Sequence, residues 1–422
     1  MYAPIMIDEQ EYYLRPMNCP HHHMLYRHDQ WSYRDLPVRL SEYGQVYRYE
    51  ASGGLSGLMR VRGFCQNDAH IYCREDQAKD EFLEVMHMHA KYYRMFGIED
   101  FWMRLSLPDF ENLEKYVDDV EGWKKALGIL KQAMDESGYP YREVEGEAAF
   151  YGPKVDFMIR SVVGTEYAIS TNQLDFMATK RFDLVYTDAD GEKKPVYVIH
   201  RAPLGSHERF VAFLIEHYAG KFPTWLAPVQ AIVIPIADRH EDYAAGVRKR
   251  LFDADVPTVN GGVRVEADYA AERMQKKIRN AQTRQIPYML VVGDQEAEND
   301  AVAVRHRDHG DLGSVSVDAL IAHIRNEVEA RADKPLDAVI DHRGVPGELL
   351  AEGEGDGILE MRATDFDHIL PCPGLVIEGG GQVFESGQER VVGPVGSRDM
   401  DGGRDDVVCR LRRVDVVIGM HG

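Results

Sequence analysis

YGQVYRYEASGGLSGLMRVRGFCQNDAHIYC, running from Tyr43 to Cys73, decides how the rest of the chain is read. YGQVYRYE (Tyr43–Glu50) alternates and is rich in β-formers, and GFCQNDAHIYC (Gly63–Cys73) reads as a second strand. The connection between them, ASGGLSGLMRVR, is rich in glycine and arginine, so the stretch predicts an antiparallel hairpin with a long basic tip. Arg48 ends the first strand, Arg60 and Arg62 lie in the tip, and Phe64 and Asp68 stand four apart on the return strand. Arginines facing one another across a sheet are costly unless an anion lies between them, and a triphosphate would supply that charge through bidentate guanidinium contacts. Phe64 could then stack on a base, and Glu50 could accept from an exocyclic amine. The plain alternative is a surface loop with solvated arginines, and it prevails if the hairpin is taken alone.

Around this hairpin, residues 1 to 225 mix helices and strands without a regular βα rhythm, which predicts an α+β domain. EDQAKDEFLEVMHMHAKYYRMFG reads as an amphipathic helix with acidic residues in its first turn and Gly97 at its end. DADGEKKPVYVIH holds a turn at Asp190-Gly191 followed by a strand, and SHERFVAFLIEHYAG is a helix ending at Gly220. Over residues 227 to 333 the texture changes. The strands VQAIVIPI, IPYMLVVG and AVAVRHR alternate with the helical stretches HEDYAAGVRKRLFDA, AAERMQKKIRNAQTRQ and SVDALIAHIRNEVEARA, which predicts a compact α/β domain. Residues 335 to 422 are rich in Gly, Asp and Val without periodicity, and disorder, out-of-frame translation and a third domain all stay open there.

Composition narrows the classes. The 422 residues are 44% hydrophobic and 28% charged, an ordinary globular balance that suits two or three domains. A net charge of −21 argues against a surface coated for nucleic acid while leaving room for a local basic groove. The five cysteines are odd in number and scattered, which points to a reducing cytoplasm rather than a disulfide framework. No apolar run reaches membrane-spanning length, and the first residues do not read as a signal peptide.

RPMNCPHHHMLYRHDQW (Arg15–Trp31) places Cys19 beside His21, His22 and His23, with His28 close behind. A metal site, a purification tag and an accident of composition are all open from this stretch alone.

RYE…RVRGFCQND resembles motif 2 of the class II aminoacyl-tRNA synthetases, and LGSHERF, ending in Arg209 and Phe210, resembles their motif 3. With RPMNCP, SYRDLP, GLMRVRGF, YGPK (Tyr151–Lys154), TNQLDF (Thr171–Phe176) and VIHRA, the resemblance is to the threonyl-tRNA synthetase family over roughly residues 1 to 333. The resemblance implies an antiparallel sheet flanked by helices, followed by an α/β anticodon-binding domain. It implies one zinc held by Cys19, His70 and His200, a set suited to tetrahedral zinc with one position open for substrate. On that assignment His21, His22 and His23 are not ligands, a Cys-x-His pair being too tight to share one metal easily, and are expected as polar residues at the start of a helix. The zinc would take the amino group and hydroxyl of L-threonine, and Asp68 would accept from that hydroxyl. Arg48 would hold the carboxylate and α-phosphate, Arg60 the γ-phosphate, and Arg209 and Phe64 would sandwich adenine with Glu50 reading its amine. Gln66, Tyr151, Lys154 and Gln173 would line the amino-acid and phosphate pocket, with Mg2+ accompanying ATP. In the second domain, Glu296 and Arg305 match positions that read anticodon bases of tRNA(Thr), and Arg279 lies on a basic helix suited to phosphates.

Departures carry expectations too. MYAPIMID resembles an internal point of the family's catalytic domain, so motif 1 with its dimer interface, a Gly-His-Trp segment and the N-terminal editing domain are expected to be missing. An N-terminally truncated chain, monomeric or prone to aggregate where the family is a homodimer, is the expectation. Ala168 stands where some members carry glutamine. Two other readings stay open: a non-catalytic descendant binding threonine, ATP or RNA, and a prolyl or seryl type of synthetase, against which the Cys-His-His set speaks.

Overall fold

The computed structural model describes residues 1–110, 114, 116–161 and 164–331, with three short strands at 376–378, 382–384 and 416–417. Apart from those strands, the 335–422 tail lies outside the described residues. The described chain divides into two compact units: residues up to Phe213 without Met95–Gly97, joined by the three short strands, and Met95–Gly97 with the residues from Leu214 onward.

The first unit is built on one sheet. A small hairpin, β1 (Ile5–Ile7) and β2 (Gln10–Tyr12), precedes helix α1 (Cys19–His28) and the long hairpin of β3 (Val38–Tyr47) and β4 (Gly63–Cys73). Then come α2 (Glu75–Met95), β5 (Phe101–Leu107), α3 (Val120–Ser137), β6 (Tyr141–Glu145), β7 (Lys154–Arg160), β8 (Glu166–Asp175) and α4 (Ala178–Phe182). A second small hairpin, β9 (Val185–Thr187) and β10 (Lys193–Pro195), leads into β11 (Tyr197–Ala202) and α5 (His207–His217). The sheet order is β3-β4-β11-β8-β7-β5-β6, antiparallel throughout except for β5 beside β6.

The hairpin of the sequence reading is present, displaced on its first arm. That arm runs Val38–Tyr47 rather than Tyr43–Glu50, and its last ladder pair is Tyr47 with Gly63. Its upstream half shows no simple alternation because both sheet faces are covered. Arg39 meets Glu81 of α2 at 2.6 Å, while Glu42 is buried opposite Asp68. Acidic Glu75 and Asp76 sit in the first turn of α2, where they complement the helix dipole, and Gly97 follows its end in a left-handed conformation (φ 65°). α2 packs on β7, with His89 stacked on Phe157 at 4.4 Å and Tyr93 edge-on to the same ring at 5.6 Å. On the other face Tyr26 of α1 stacks on Tyr72 of β4 at 4.2 Å, within a cluster that includes Leu36, Leu40, Leu184 and Val198. That cluster seats α1 on the sheet.

The second unit begins with β12 (Ala231–Pro235), α6 (Glu241–Phe252), β13 (Val265–Ala267) and α7 (Met274–Thr283). It continues with β14 (Tyr288–Val292), α8 (Asp294–Glu298), β15 (Ala301–His306), β16 (Gly310–Ser316) and α9 (Val317–Ala330). The order is β13-β12-β14-β15-β16, the first three parallel and the last two added antiparallel. VQAIVIPI is apolar without alternation because both faces are covered. Ala231 and Val233 join one core with residues of α6 and α9, whereas Ile232 and Ile234 join the other with Ile278 and Ala281 of α7. The sequence reading named no strand at β16, since GDLGSVS carries little β-forming character.

The remaining short strands are a hairpin of β17 (Val376–Glu378) and β18 (Gln382–Phe384), and β19 (Val416–Val417), which runs parallel to β3.

Candidate active site

Strand pairing lines up the site before any side chain is considered. His70 of β4 is the register partner of His200 in β11, His200 of Gln173 in β8, and Gln173 of Lys154 in β7. Directly opposed residues of antiparallel strands share a face, so these four form a row across the sheet. Along β4 the two-residue period adds Phe64, Gln66 and Asp68 to the same face as His70. α1 lies over this face. Cys19, His22 and His23, at i, i+3 and i+4, point from it together.

Cys19, His70 and His200 offer ligand atoms that all lie within 4.8 Å of one another, the one such Cys/His/carboxylate group among the described residues. His70 is 1% exposed and its Nε2 has no hydrogen-bond partner, an arrangement that is costly unless something binds that nitrogen. Burial, and then the neighbouring His200 and His22, hold His70 well below its ordinary pKa, so its lone pair is available. A soft thiolate with two imidazoles suits zinc, and the residues present fit that ion. Asp68, also 1% exposed, accepts from Asn18 Nδ2 at 3.0 Å and lies 2.6 Å from His200 Nε2. Burial pushes the Asp68 carboxyl up, yet His200, Asn18 and His22 together outweigh it and keep the group ionised. Burial likewise pushes His200 down, and the facing Asp68 and Cys19 together raise it.

The three consecutive histidines are at the start of a helix, as the sequence suggested, but they are not alike. His21 is exposed, whereas His22 and His23 are each 2% exposed. His22 Nδ1 lies 2.8 Å from His70 Nδ1, and His23 Nδ1 lies 2.9 Å from the Tyr72 hydroxyl.

Toward the hairpin tip the same face becomes cationic. Burial first, then the positive charges of Arg60 and Arg48, push the Arg209 guanidinium below its ordinary value, with Glu50 opposing. Three guanidiniums gathered without a full complement of carboxylates make an anion site. Two of them are held at one edge: Arg209 Nε donates to Met59 O at 3.0 Å and Arg48 Nε to Pro16 O at 3.1 Å. Arg62 braces the tip by donating to Glu50 O from two nitrogens at 3.1 and 3.0 Å. The structure places Arg48, not Arg209, over the Phe64 ring, at 5.2 Å. Tyr151 donates its hydroxyl to Gln173 Oε1, and the backbone of Gln66 pairs antiparallel with that of Ser206 at the entry of α5. Lys154 Nζ donates to Asp156 Oδ2 at 3.0 Å, a carboxylate also held by Arg104 at 2.7 Å and Thr171 at 2.7 Å.

Sequence reading passed over Asn18, His22, Glu42, Asp156 and Glu208. Glu208 accepts from the Cys65 backbone N–H with both oxygens, each at 3.1 Å, and thereby ties α5 to β4. The i, i+3 spacing of Cys19 and His22, and the adjacency of Asn18 to Cys19, were available signals. For Asp156 and Glu208 only the fold brings the partners together.

In the second unit, Arg305 on β15 carries a buried Nε without a hydrogen-bond partner. Glu296 accepts from Gly293 N at 3.0 Å and so caps the start of α8. Arg279 stands exposed on α7. No described helix is long and apolar enough to cross a membrane.

Residues 4–218 match the tRNA synthetase class II core domain (G, H, P, S and T), and residues 230–327 match an anticodon-binding domain. The chain is 51% identical over 329 residues to a protein of Listeria welshimeri named threonine–tRNA ligase, covering 78% of this chain and 50% of that protein. It is 51% identical over 322 residues to threonine–tRNA ligase 1 of Bacillus subtilis, covering 76% of this chain and 49% of the relative. The chain thus spans about half the length of the curated relatives it matches. Among solved structures, the RNA binding domain of threonyl-tRNA synthetase from Cryptosporidium parvum Iowa II superposes with a TM-score of 0.70 at 37% identity, covering 76% of this chain and 78% of that one. A threonyl-tRNA synthetase structure from Aeropyrum pernix gives 0.64 at 29% identity, covering 79% of each chain.

Proposed function

Because the chain belongs to the threonyl-tRNA synthetase family of the class II tRNA synthetases, we propose that it activates L-threonine with ATP and Mg2+ and passes the threonyl group to tRNA(Thr). The single observation that supports this reading is the Cys19–His70–His200 donor set beside the buried Asp68, on the sheet face that also carries the Arg48–Arg60–Arg209 cluster. Zinc, when bound by that set, supplies a Lewis-acid position for the amino group and hydroxyl of threonine.

The chain's own residues do the rest. Asp68, kept ionised, accepts the hydroxyl proton's hydrogen bond. Arg48 orients the threonine carboxylate against the α-phosphate. As the carboxylate oxygen bonds to the α-phosphorus, the bond to pyrophosphate breaks, and Arg60 takes up charge at the γ end. Positioning and charge neutralisation supply most of the acceleration in such a displacement. Phe64 and Arg209 hold adenine, which requires Arg48 to leave its present position over the Phe64 ring. Gln66, Tyr151, Lys154 and Gln173 line the pocket, with Lys154 fixed by Asp156. We assign this chemistry to residues 1–225 and tRNA recognition to residues 227–333, in the cytoplasm.

The test is amino-acid-dependent exchange of pyrophosphate into ATP by zinc-loaded protein. Threonine and valine have nearly the same shape, and a site built to ligate a hydroxyl rejects the analogue lacking it by roughly 10⁴-fold or more. Serine lacks only a methyl, worth about 1–3 kcal/mol. Threonine should exchange best, serine measurably and valine not at all. Valine exchanging as well as serine would remove the zinc–hydroxyl reading, and silence with threonine in folded, zinc-loaded protein would favour the non-catalytic alternative.

A further inference from the structure

His22 is not accounted for by the proposed chemistry, yet its position is constrained. It is 2% exposed, sits on the Cys19 face of α1, and contacts polar groups through both ring nitrogens. Its Nδ1 is 2.8 Å from His70 Nδ1, and its Nε2 is 3.4 Å from Glu42 Oε1. Glu42 is 6% exposed and lies 3.4 Å from the Arg15 guanidinium through its other oxygen, Oε2. The three groups form a line, Glu42–His22–His70, that ends at the partnerless His70 Nε2.

Hydrogen-bond logic leaves one consistent arrangement of protons along this line. Two facing Nδ1 atoms at 2.8 Å need one proton between them. For His70 Nε2 to offer a lone pair, the His70 proton must be on Nδ1, donated to His22 Nδ1. His22 must then carry its own proton on Nε2, on the side of the Glu42 carboxylate, which stands 3.4 Å away at an ion-pair distance rather than in a formed hydrogen bond. Reversing the shared proton would leave His22 Nε2 as a bare acceptor beside an anion, and would place His70's single proton on the partnerless Nε2.

We propose that His22, backed by Glu42, is a positioning residue that locks His70 in the Nδ1–H tautomer and so presents His70 Nε2 to a zinc-class divalent ion. This rests on the reading of Cys19, His70 and His200 as the ligands. Ligand histidines commonly donate their second N–H to an acceptor, and losing that acceptor costs about 10–100-fold in metal affinity. Here the acceptor is itself an imidazole, held from behind by a carboxylate. His21, one residue earlier and exposed, has no part in it.

Zinc content and affinity against a chelator are measured for the parent, His22→Ala, His22→Asn and His21→Ala, together with the visible spectrum of the cobalt-substituted forms. His22→Ala should bind zinc about 10–100-fold more weakly and shift the cobalt bands. His22→Asn should recover most of the affinity, because its amide oxygen can accept from His70 Nδ1–H, and His21→Ala should match the parent. Parent-like affinity and spectrum in folded His22→Ala would overturn the proposal while leaving the ligand assignment standing. A parent that binds no zinc at Cys19 removes both. Should His22→Ala not fold, long-range nitrogen–proton correlation on the zinc-loaded parent decides: Nδ1–H on His70 with Nε2–H on His22 supports the proposal, and His70 ligating through Nδ1 overturns it.

Discussion

Cys19, on the first turn of α1, is carried to the site by a helix that Tyr26 and its apolar cluster anchor into the sheet. Replacing its thiolate by a hydroxyl removes the soft donor and leaves two imidazoles. Cys19→Ser should therefore lose most of its zinc, read by elemental analysis of folded protein, and a full equivalent retained would mean that Cys19 is not a ligand. A second prediction concerns His306 in the other unit. It is 1% exposed, and its Nδ1 accepts from the Asp308 backbone N–H at 3.1 Å, a bond only the neutral ring can make. Burial, then the nearby His309, lower its pKa from 6.5 to about 4, against the opposing pull of Asp308 and Glu327. The unfolded chain thus takes up the proton first. The contribution to stability is fully present above about pH 6.5 and is lost as pH falls toward 4, by about 1–2 kcal/mol after allowance for residual solvation. Urea unfolding at a series of pH values should show this slope in the parent and a shallower one in His306→Asn, and identical slopes would count against it. At this scale the sequence was informative where chemistry narrows the choice. One cysteine and two histidines far apart in the chain were picked out through a family likeness, and the fold brings them together. His22 was passed over because a run of three histidines does not say which of them faces inward, and only the helix period resolves it.

Among elements, β4 was the most legible. Phe64, Gln66, Asp68 and His70 fall at every second position and share one face, which is what a strand with one working face requires. β3 was less so, since Leu40, Glu42 and Gly44 share the working face and two of them do not look like core. Gly44 is needed because Asn18 occupies the space above it: a Cβ there would stand 2.3 Å from Asn18 Nδ2. Gly205, just before α5, has φ 64°, and a Cβ there would meet the Ile169 carbonyl oxygen at 2.3 Å. A side chain can yield and a strand carbonyl cannot. Gly44→Ala should therefore cost about 1–3 kcal/mol and displace Asn18 from Asp68, whereas Gly205→Ala should cost more. Comparing urea midpoints at constant slope checks the order, and a neutral Gly205→Ala would show that the α5 entry is softer than drawn.

At the scale of the whole molecule, the α+β and α/β textures were visible from strand and helix spacing, while the antiparallel addition of β15 and β16 to a parallel set was not, because strand direction leaves no mark in residue pattern and β16 was not legible as a strand. The net charge of −21 makes local cationic sites matter more for RNA. Arg305→Ala should weaken binding selectively for threonine anticodons, by about 1–3 kcal/mol if it contacts a base edge. Arg279→Ala, on an exposed helix face, should weaken all tRNAs alike and lower the slope of log K against log salt by about 1. Filter binding with matched and unmatched tRNAs over a salt series distinguishes the two, and equal losses for both tRNAs with Arg305→Ala would argue against base reading.

The pairing of His70 with His200 reaches beyond the site to the way the chain finds its fold. Because they are register partners on neighbouring strands, a slip of β11 by one residue would turn His200 to the far side of the sheet and Arg201 toward Cys19. A folding chain in that trap would keep most of its backbone hydrogen bonds and much of its apolar burial, so hydrogen bonding alone punishes the error weakly. Metal capture does not share that tolerance, since it is all or nothing with respect to the face on which His200 emerges. On the proposed zinc reading, uptake of the ion during folding would favour the correct strand alignment, drawing the population out of slipped states by mass action.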